Sequence, residues 1–159
     1  MALTPSFEAA RQAVVDSLRA IDFEAVAFDD LTRRAAEVCG TEFAAISIVD
    51  KDTLWFKSRL GTDLSARPRD QSFCALAIAD PGRVMVVEDA LLDERVCSFP
   101  NVVEAPHLRF YAGVPLIVKN EPVGTLCAFD GNPRTVTAEQ IDELRFLADQ
   151  VMKTIESRR

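Results

Sequence analysis

Two pairs of β-rich segments, each joined by a short polar turn, constrain the fold of this chain more than any other feature of its sequence. The first pair covers residues 43–49 and 54–60, and the second covers residues 108–119 and 122–130. Segments joined by so few residues pair in antiparallel orientation, because a parallel crossover needs about a dozen residues or more. Residues 84–87 form a further short β-rich segment. The sequence therefore predicts an antiparallel sheet.

Helical patterns flank the strand segments at both ends of the chain. Apolar residues recur at three- and four-residue steps over residues 6–20, over residues 23–39 and in the segment that follows Thr137. A shorter apolar stretch over residues 73–79 predicts a further helix. Gly40 is expected to end the second helix in a left-handed conformation. The residues expected to cap the helix N-termini are Ser6, Asp22, Ser72 and Thr137.

Helices from both chain ends can cover one face of the sheet, so this order of elements predicts an α+β sandwich. Residues 62–72 and 88–106 are predicted to be loops, and the second is long enough to suggest a functional loop. Pro115 lies inside a strand segment, which places it at an edge position or at a β-bulge. Trp55, Lys57 and Arg59 would share one face of a regular strand, so either Trp55 is exposed beside the two charged residues or a bulge breaks the alternation.

Composition excludes several classes of function. The 159 residues suit one domain, and 18 basic residues against 25 acidic ones give a net charge of −7 without a basic arm, which argues against nucleic acid. The longest apolar runs are too short to cross a membrane, so we expect a cytoplasmic protein. The cysteines form no C-x-x-C pair, which argues against a structural metal site. They are Cys39, Cys74, Cys97 and Cys127.

Five sequence blocks resemble, in order, those of a bacterial GAF domain. The two most specific blocks are Arg-Phe-Tyr-Ala-Gly-Val-Pro-Leu at residues 109–116 and Gly-Thr-Leu-Cys at residues 124–127, followed by Asp130. The other blocks are Trp-Phe-Lys-Ser at 55–58, Ser-Phe-Cys at 72–74, and Val-Val-Glu-Asp at 86–89 with Asp-Glu-Arg at 93–95. The resemblance covers roughly residues 22–157.

The resemblance implies a sheet of about six antiparallel strands and a ligand cavity between the sheet and the loops after the first hairpin. It also implies a regulatory input module that works with a kinase, a cyclase, a phosphodiesterase or a transcription factor. This chain carries no output domain of that kind, so it is either a free-standing sensor or part of something longer. On this interpretation residues 1–21 form an amphipathic dimerisation helix and residues 22–159 form the GAF domain.

Nine residues are candidate ligand contacts in the expected cavity. Phe110 and Tyr111 alternate along a strand, so one of the two should point inward and the other outward. The polar candidates have structural alternatives: Asp89 and Arg95 would pair with each other or cap the loop, and Arg109 would anchor the loop. The nine candidates are Phe73, Cys74, Ala77, Asp89, Arg95, Phe99, Arg109, Tyr111 and Cys127.

No cofactor and no catalytic residue are predicted. The chain has no Cys-His dipeptide for bilin attachment, and it lacks the Asn and Lys of the cyclic-nucleotide signature of GAF domains. One enzymatic alternative comes from the free methionine sulfoxide reductases of the family, or from redox sensing, with Cys74 and Cys97 as the reactive thiols. A purely structural dimerisation domain with a collapsed pocket is the other alternative.

The terminal helices are expected to form the interface of a homodimer. Phe7, Val14 and Ile21 form a stripe on the first helix, and the last helix carries two apolar faces. One face of that helix holds Ile141, Leu144, Ala148, Val151 and Ile155, and the other holds Phe146, Leu147 and Met152. A helix with two apolar faces needs two partners, here the sheet and a second copy of the chain.

Overall fold

The computed structural model describes residues 5–21, 26–62 and 66–158. The helices are α1 (Pro5–Ser17), α2 (Val26–Cys39), α3 (Phe73–Ala79), α4 (Pro100–Val103) and α5 (Ala138–Ser157). The strands are β1 (Phe43–Asp50), β2 (Thr53–Leu60), β3 (Ala66–Pro68), β4 (Met85–Val87), β5 (Phe110–Val118) and β6 (Glu121–Asp130). A 3₁₀ turn at Ala90–Leu92 and α4 give structure to residues 88–106, predicted to be a loop. Asp22, the predicted cap of α2, lies outside the described residues. Within the described ranges, no helix is long and apolar enough to cross a membrane.

The six strands form one sheet in the order β3-β2-β1-β6-β5-β4, with each strand antiparallel to its neighbours. This arrangement confirms the predicted α+β class and the sheet of about six strands. The prediction of a loop over residues 62–72 is wrong at β3. The three residues of β3 have no apolar alternation, and their extended conformation comes from pairing with β2, which the local sequence does not encode.

Helices and connections cover the sheet on both faces. α2 and α5 pack on one face together with α1, and Phe28 and Leu144 are fully buried there. α3 covers the other face. Phe110 and Tyr111 alternate as predicted, with Phe110 in the core under α2 and α5 and Tyr111 in the core under α3. The expectation that one of them points outward is wrong, because both sides of β5 are covered at this point.

The side chains of β2 change the sheet face to which they point at Lys57. The pairing of β1 with β2 skips this residue, which makes it the extra residue of a β-bulge. Phe56 belongs to the core under α3, whereas Ser58 lies 2.7 Å from the hydroxyl of Thr32 in α2, on the opposite face. Trp55 is 36 % exposed, and the Lys57 ammonium lies 5.1 Å from its ring centre. Both alternatives for this strand therefore hold: Trp55 is exposed and the alternation breaks.

Side-chain caps start α3 and α5 where the sequence predicts them. The Thr137 hydroxyl accepts a hydrogen bond from the Gln140 N–H at 3.1 Å, and the Gln140 side chain accepts one from the Thr137 N–H at 2.7 Å. This reciprocal pair is a capping box. Ser72 caps α3 by accepting from the Ala75 N–H.

Two other helix ends differ in outcome. Gly40 has a φ of 68°, which confirms the predicted left-handed residue after α2. The prediction that Ser6 caps α1 is wrong, because the helix begins at Pro5 and Ser6 lies inside its first turn. Proline suits the first helical position, where the missing N–H has no partner within the helix.

At Pro115, β5 is paired on one side only among the described residues. β4 pairs with β5 as far as Gly113, whereas β6 continues, so that Pro115 lies opposite Thr125. Pro115 therefore lies where one side of β5 has no partner strand among the described residues, which agrees with the edge position given as one of the two alternatives.

A buried arginine fixes α1 to the sheet. Arg11 is fully buried, and its Nη1 donates to the carbonyl oxygen of Val49 at 2.6 Å, near the end of β1. Its Nη2 lies 2.9 Å from a carboxylate oxygen of Glu8, and Glu8 also forms a salt bridge with Arg69. Because Arg69 directly follows β3, α1 is joined both to the centre of the sheet and to its edge.

Candidate functional site

A cavity of about 730 Å³ lies between the sheet and the connections on its α3 side. The sheet side of the cavity is lined by residues of β1, β2, β5 and β6 and of the edge strand β3. The start of α3 and the segment from α4 to β5 line the opposite side. Pockets for organic ligands commonly measure about 300–1,000 Å³. The cavity is therefore large enough for a molecule of several fused rings.

Aromatic side chains from three sides meet in this cavity. The Phe43 and Phe129 rings stack with their centres 5.4 Å apart, and the Phe73 ring centre lies 5.1 Å from that of Tyr111. Phe56 completes the set from β2. Packed rings keep their positions and present flat apolar faces, which suit a planar ligand.

Asn101 and Arg67 are polar residues of the cavity whose side chains have no partner among the described residues. Asn101 is 8 % exposed, and its Oδ1 is buried without a hydrogen-bond partner. Arg67 is the one charged residue among the described residues that line the cavity, and its side chain forms no hydrogen bond or ion pair with another described residue. The remaining polar side chains of the lining, apart from the thiols and Tyr111, are Thr62, Gln71 and Ser72.

A thiol cluster, composed of Cys74, Cys127, Tyr111, Thr125 and Ser47, lies at the sheet side of the cavity. The Tyr111 hydroxyl donates to the Cys74 sulfur at 3.3 Å, and the Thr125 hydroxyl donates to it at 3.2 Å. The Ser47 hydroxyl lies 2.8 Å from that of Thr125, and the Cys127 thiol donates to the carbonyl oxygen of Ala45 at 3.5 Å. Cys74 therefore accepts from two hydroxyl groups at once.

These contacts determine which group of the thiol cluster ionises first. The neighbouring thiol of Cys127, together with the hydroxyl groups of Ser47, Thr125 and Tyr111, lowers the pKa of the Cys74 thiol despite its burial. The proximity of Cys74, together with burial, raises the pKa of Cys127 well above its usual value. Burial raises the pKa of the Tyr111 hydroxyl. Cys74 is thus the residue of this cluster most able to supply a thiolate.

Two glycines give the thiol cluster its shape. A Cβ atom at Gly113 would lie 2.2 Å from the hydroxyl oxygen of Tyr111, so the Tyr111 ring lies over this glycine on the same face of β5. A Cβ atom at Gly124 would lie 1.8 Å from the carbonyl oxygen of Ser47, so β1 and β6 approach closely beside the cluster. The glycines of the two most specific sequence blocks therefore act on the same group of side chains.

Four of the nine predicted ligand contacts line the cavity: Phe73, Cys74, Tyr111 and Cys127. Ala77 is buried in the adjoining core and does not reach the cavity. Phe99 stands behind the wall, where its ring meets that of Phe73 edge to face with centres 5.7 Å apart.

The structure keeps the three charged candidates outside the cavity. Asp89 caps the 3₁₀ turn, which is the structural alternative given for it. Arg95 forms a salt bridge with Asp93 at 2.6 Å, so the alternative pairing of Arg95 with Asp89 is wrong. Arg109 donates to the carbonyl oxygen of Val102 at 3.0 Å and anchors the segment before β5.

The cavity residues that sequence reasoning missed include Asn101, Arg67 and the aromatic residues Phe43, Phe56 and Phe129. Asn101 is a polar residue within an otherwise apolar turn, a weak indication that local pattern alone could have offered. Arg67 carries no such indication, because its position depends on the pairing of β3 with β2. Cys97 does not line the cavity, so the structure does not bring it to Cys74 there, and His107 is exposed. In the described part of the chain, no three His, Cys, Asp or Glu side chains are grouped to hold a metal ion.

Solved structures of low sequence identity share this fold. The GAF domain of a phosphoenolpyruvate-protein phosphotransferase from Acinetobacter is 13 % identical with a TM-score of 0.66, over 98 % of this chain and 96 % of that one. A free methionine-R-sulfoxide reductase from Neisseria meningitidis is 19 % identical with a TM-score of 0.66, over 100 % of this chain and 95 % of that one.

A nearer relative in sequence is a cyclic di-GMP phosphodiesterase of Pseudomonas aeruginosa. It is 39 % identical over 158 residues, which are 98 % of this chain and 27 % of that protein. This chain thus spans about a quarter of the length of that relative. The family model of the GAF domain matches residues 25–155. Because the matched region covers most of the chain and the fold agrees with it, the chain belongs to the GAF domain family.

Proposed function

We propose that this protein is a non-enzymatic regulatory module that binds a small organic ligand in the cavity and transmits its occupancy through the terminal helices of a homodimer. The observation that carries the proposal is the cavity of about 730 Å³ between aromatic walls. A purely structural domain gains nothing from an open space of this size in its core, since empty volume there lowers stability.

The contacts of α1 support a route from the cavity to a terminal helix. Arg69 follows the cavity residues Arg67 and Pro68 along the chain, and it forms a salt bridge with Glu8 of α1. Arg69 Nη1 also donates to the carbonyl oxygen of Lys51 at 2.9 Å. A ligand that moves β3 would therefore act directly on the position of α1. It shifts the helix arrangement only if it binds one arrangement more tightly than the other.

Exposed aromatic residues on the terminal helices support the homodimer. Phe7 of α1 is 63 % exposed and Phe146 of α5 is 59 % exposed, whereas Leu144, Val151 and Ile155 of α5 pack into the core of their own domain. Leu147 and Met152, which were predicted for the second apolar face of α5 with Phe146, also pack against the core of their own domain. The opposite face of α5, with Phe146, is the part left for a second copy.

The relative in Pseudomonas aeruginosa suggests an output. A region like this one occupies about a quarter of a cyclic di-GMP phosphodiesterase. We therefore place regulation of an enzyme of cyclic di-GMP turnover first among the outputs, ahead of a kinase or a transcription factor.

Native mass spectrometry of the purified protein tests the proposal. We expect a small molecule that is retained under native conditions and released on denaturation. When this molecule is added back to protein that has been stripped of it and refolded, the melting temperature of the protein should rise and then reach a plateau as the concentration increases. If the native protein carries nothing, and no fraction of a metabolite extract raises the melting temperature, the structural dimerisation domain replaces the sensor.

A thiol enzyme is the second candidate, favoured by the lowered pKa of Cys74 at a ligand-sized cavity. The test is an assay of free methionine sulfoxide reduction with the unchanged protein and with Cys74→Ser, Cys97→Ser and Cys127→Ser. Turnover that disappears in Cys74→Ser would support the enzyme. Turnover no greater than background in the unchanged protein removes it.

A further inference from the structure

Cys74 and Cys127 are close neighbours in the thiol cluster. The Tyr111 hydroxyl that donates to Cys74 at 3.3 Å lies over Gly113, where a Cβ atom would overlap it. Gly113 pairs with Cys127, and paired residues share one face of a sheet with their Cβ positions about 4.5–5.5 Å apart. The Thr125 hydroxyl, two residues before Cys127 on the same face, donates to Cys74 at 3.2 Å. The Cys74 sulfur is therefore held beside the side chain of Cys127.

The other two cysteines lie away from this pair. Cys39 belongs to the core on the opposite face of the sheet, with α2 and α5. Cys97 lies before α4 and does not line the cavity, whereas Cys74 and Cys127 both line it. All four thiols are free. Cys127 is thus the thiol that is placed to react with Cys74.

The two thiols of the pair differ in what a reaction requires of them. Cys74 keeps a small exposed area, 3 %, whereas Cys127 is 0 % exposed. An oxidant has to reach only one sulfur, because the second sulfur can then react inside the protein. The neighbouring Cys127 thiol and the surrounding hydroxyl groups also lower the pKa of Cys74. Cys74 is therefore the sulfur that reacts first, since the thiolate is the nucleophile.

The cavity wall favours an oxidant with an apolar body. The rings of Phe43, Phe56, Phe73 and Phe129 line the same space as Cys74. A molecule that buries apolar surface there gains about 25 cal/mol per Å². Hydrogen peroxide has no apolar surface to bury, so the wall favours a hydroperoxide that carries an organic group.

Hydroxyl groups at the Cys74 sulfur suit the breaking of a peroxide bond. When an O–O bond breaks, negative charge develops on the oxygen that leaves, and hydrogen-bond donors already in place stabilise it. Tyr111 and Thr125 both point a hydroxyl at this sulfur. Burial raises the pKa of the Tyr111 hydroxyl, so it keeps its proton near neutral pH and stays a donor.

We propose that Cys74 and Cys127 form a reversible modification site for organic hydroperoxides, with the organic group of the hydroperoxide in the aromatic cavity. The inference goes beyond the proposed function, because it needs no retained ligand.

The reaction has two steps. The Cys74 thiolate attacks the terminal peroxide oxygen, so that an S–O bond forms and the O–O bond breaks. The alkoxide leaves as an alcohol with the proton that the Cys74 thiol released. The Cys127 thiol then attacks the sulfur of the Cys74 sulfenic acid, an S–S bond forms, and the hydroxyl group leaves as water with the Cys127 proton. The two thiols lose two electrons, which reduce the peroxide, and a dithiol reverses the change by exchange.

Oxidation of the full chain by cumene hydroperoxide tests the site. We expect the intact mass to fall by two hydrogen atoms, peptide mapping to link Cys74 to Cys127, and dithiothreitol to restore both thiols. The rate with cumene hydroperoxide over that with hydrogen peroxide, divided by the same ratio for N-acetylcysteine, should be about tenfold or more. The protein is used as purified and also after any retained molecule is stripped and the chain is refolded, so that a bound ligand does not hide the reaction.

Three variants assign the steps to residues. Cys127→Ser should stop at the sulfenic acid, which dimedone then traps on Cys74. Cys74→Ser should form neither the sulfenic acid nor the disulfide. Cys39→Ser, at a buried thiol on the other face of the sheet, is the matched control and should form the disulfide at an unchanged rate. Melting temperatures show that each variant is folded, and the peptide map of the unchanged protein does not depend on any variant.

Three outcomes would overturn the proposal. They are a Cys74 that stays reduced in both preparations, a disulfide that joins Cys74 to Cys97, and a rate ratio equal to that of N-acetylcysteine. Native mass spectrometry for a retained molecule is a separate measurement, so the proposed sensor can stand when this site fails.

Discussion

Glu8 on α1 forms a salt bridge with Arg69, the residue directly after β3. A second arginine, Arg11, holds the same carboxylate and is itself fully buried against the sheet. One carboxylate therefore joins a terminal helix to the edge of the cavity. This contact is open to direct tests, as are the thiol cluster and the exposed face of α5.

Acid should weaken the attachment of α1. The hydrogen bond from Arg69, together with Arg11, lowers the pKa of Glu8 from 4.5 to about 2. A lowered folded-state pKa contributes stability that is complete above about pH 4.5 and is lost as the pH falls toward 2. Glu8→Gln should lack this loss, and at neutral pH it should be less stable by about 1 kcal/mol, since a partly exposed pair is screened by solvent. Urea unfolding at several pH values measures both effects.

Glu94→Gln serves as the control for this prediction, because Glu94 is exposed and belongs to no described salt bridge. Its unfolding free energy should follow that of the unchanged protein at every pH. Parallel pH profiles for Glu8→Gln and Glu94→Gln would show that the Glu8 contact contributes nothing.

Gly113→Ala should damage the thiol cluster. The new methyl group would lie 2.2 Å from the hydroxyl oxygen of Tyr111 and 2.6 Å from its ring carbon Cζ, so the ring must move away from Cys74. Overpacking of this kind costs about 1–3 kcal/mol. Gly82→Ala is the matched control, because a Cβ atom there meets nothing within 4 Å. Equal melting temperatures for the two alanine variants would contradict the prediction.

Cys74 should react with an alkylating reagent at lower pH than Cys39. The neighbouring Cys127 thiol, together with the hydroxyl groups around Cys74, lowers the pKa of Cys74, whereas burial raises the pKa of Cys39 to about 11. Since the thiolate is the reactive form, iodoacetamide that enters the cavity should modify Cys74 first as the pH rises from about 6 to 8. Peptide mapping of the native protein after brief labelling measures the two rates side by side.

Thr125→Val checks the cause of this difference. It removes the hydroxyl that donates to Cys74 at 3.2 Å, so the labelling of Cys74 should move to higher pH while that of Cys39 stays unchanged. Labelling of Cys39 ahead of Cys74 in the unchanged protein would be incompatible with the hydrogen bonds described for the thiol cluster.

Phe146→Glu should weaken the proposed homodimer. The side chain is 59 % exposed on α5, so the change should leave the fold intact and place a charge in the interface. We expect sedimentation equilibrium to give about a tenfold or greater increase in the dimer dissociation constant. Leu92→Glu, at an 84 % exposed position on the 3₁₀ turn, is the control and should dimerise normally. A dimer that tolerates Phe146→Glu as well as Leu92→Glu does not use this face of α5.

Local chemistry explains why much of the fold could be predicted. The capping box at Thr137, the left-handed Gly40 and the tight turns between paired strands depend on residues close together in the chain. The cap predicted at Ser6 was wrong for a local reason too: Pro5, directly before it, is the better first residue of a helix.

The candidate site was predictable only in part. Phe73 and Cys74 lie within the Ser-Phe-Cys block, Tyr111 and Cys127 lie within the two most specific blocks, and all four line the cavity. Asp89 and Arg109 also lie within these sequence blocks, yet their side chains turn to nearby backbone groups instead. Whether a polar residue faces a cavity or caps a turn depends on backbone direction, which spacing does not reveal.

The sequence by itself determined the strand pairs, the helix ends and the family, because periodicity, turn chemistry and glycine positions act over short distances. Only the tertiary structure decided that Asn101 and Arg67 face one cavity and that Glu8 meets Arg69. The residues of each pair lie far apart in the chain. They come together because β3 pairs with the edge strand β2 and because α4 lies beside the same cavity. Contacts of this kind arise from packing over the whole domain and leave no local pattern in the sequence.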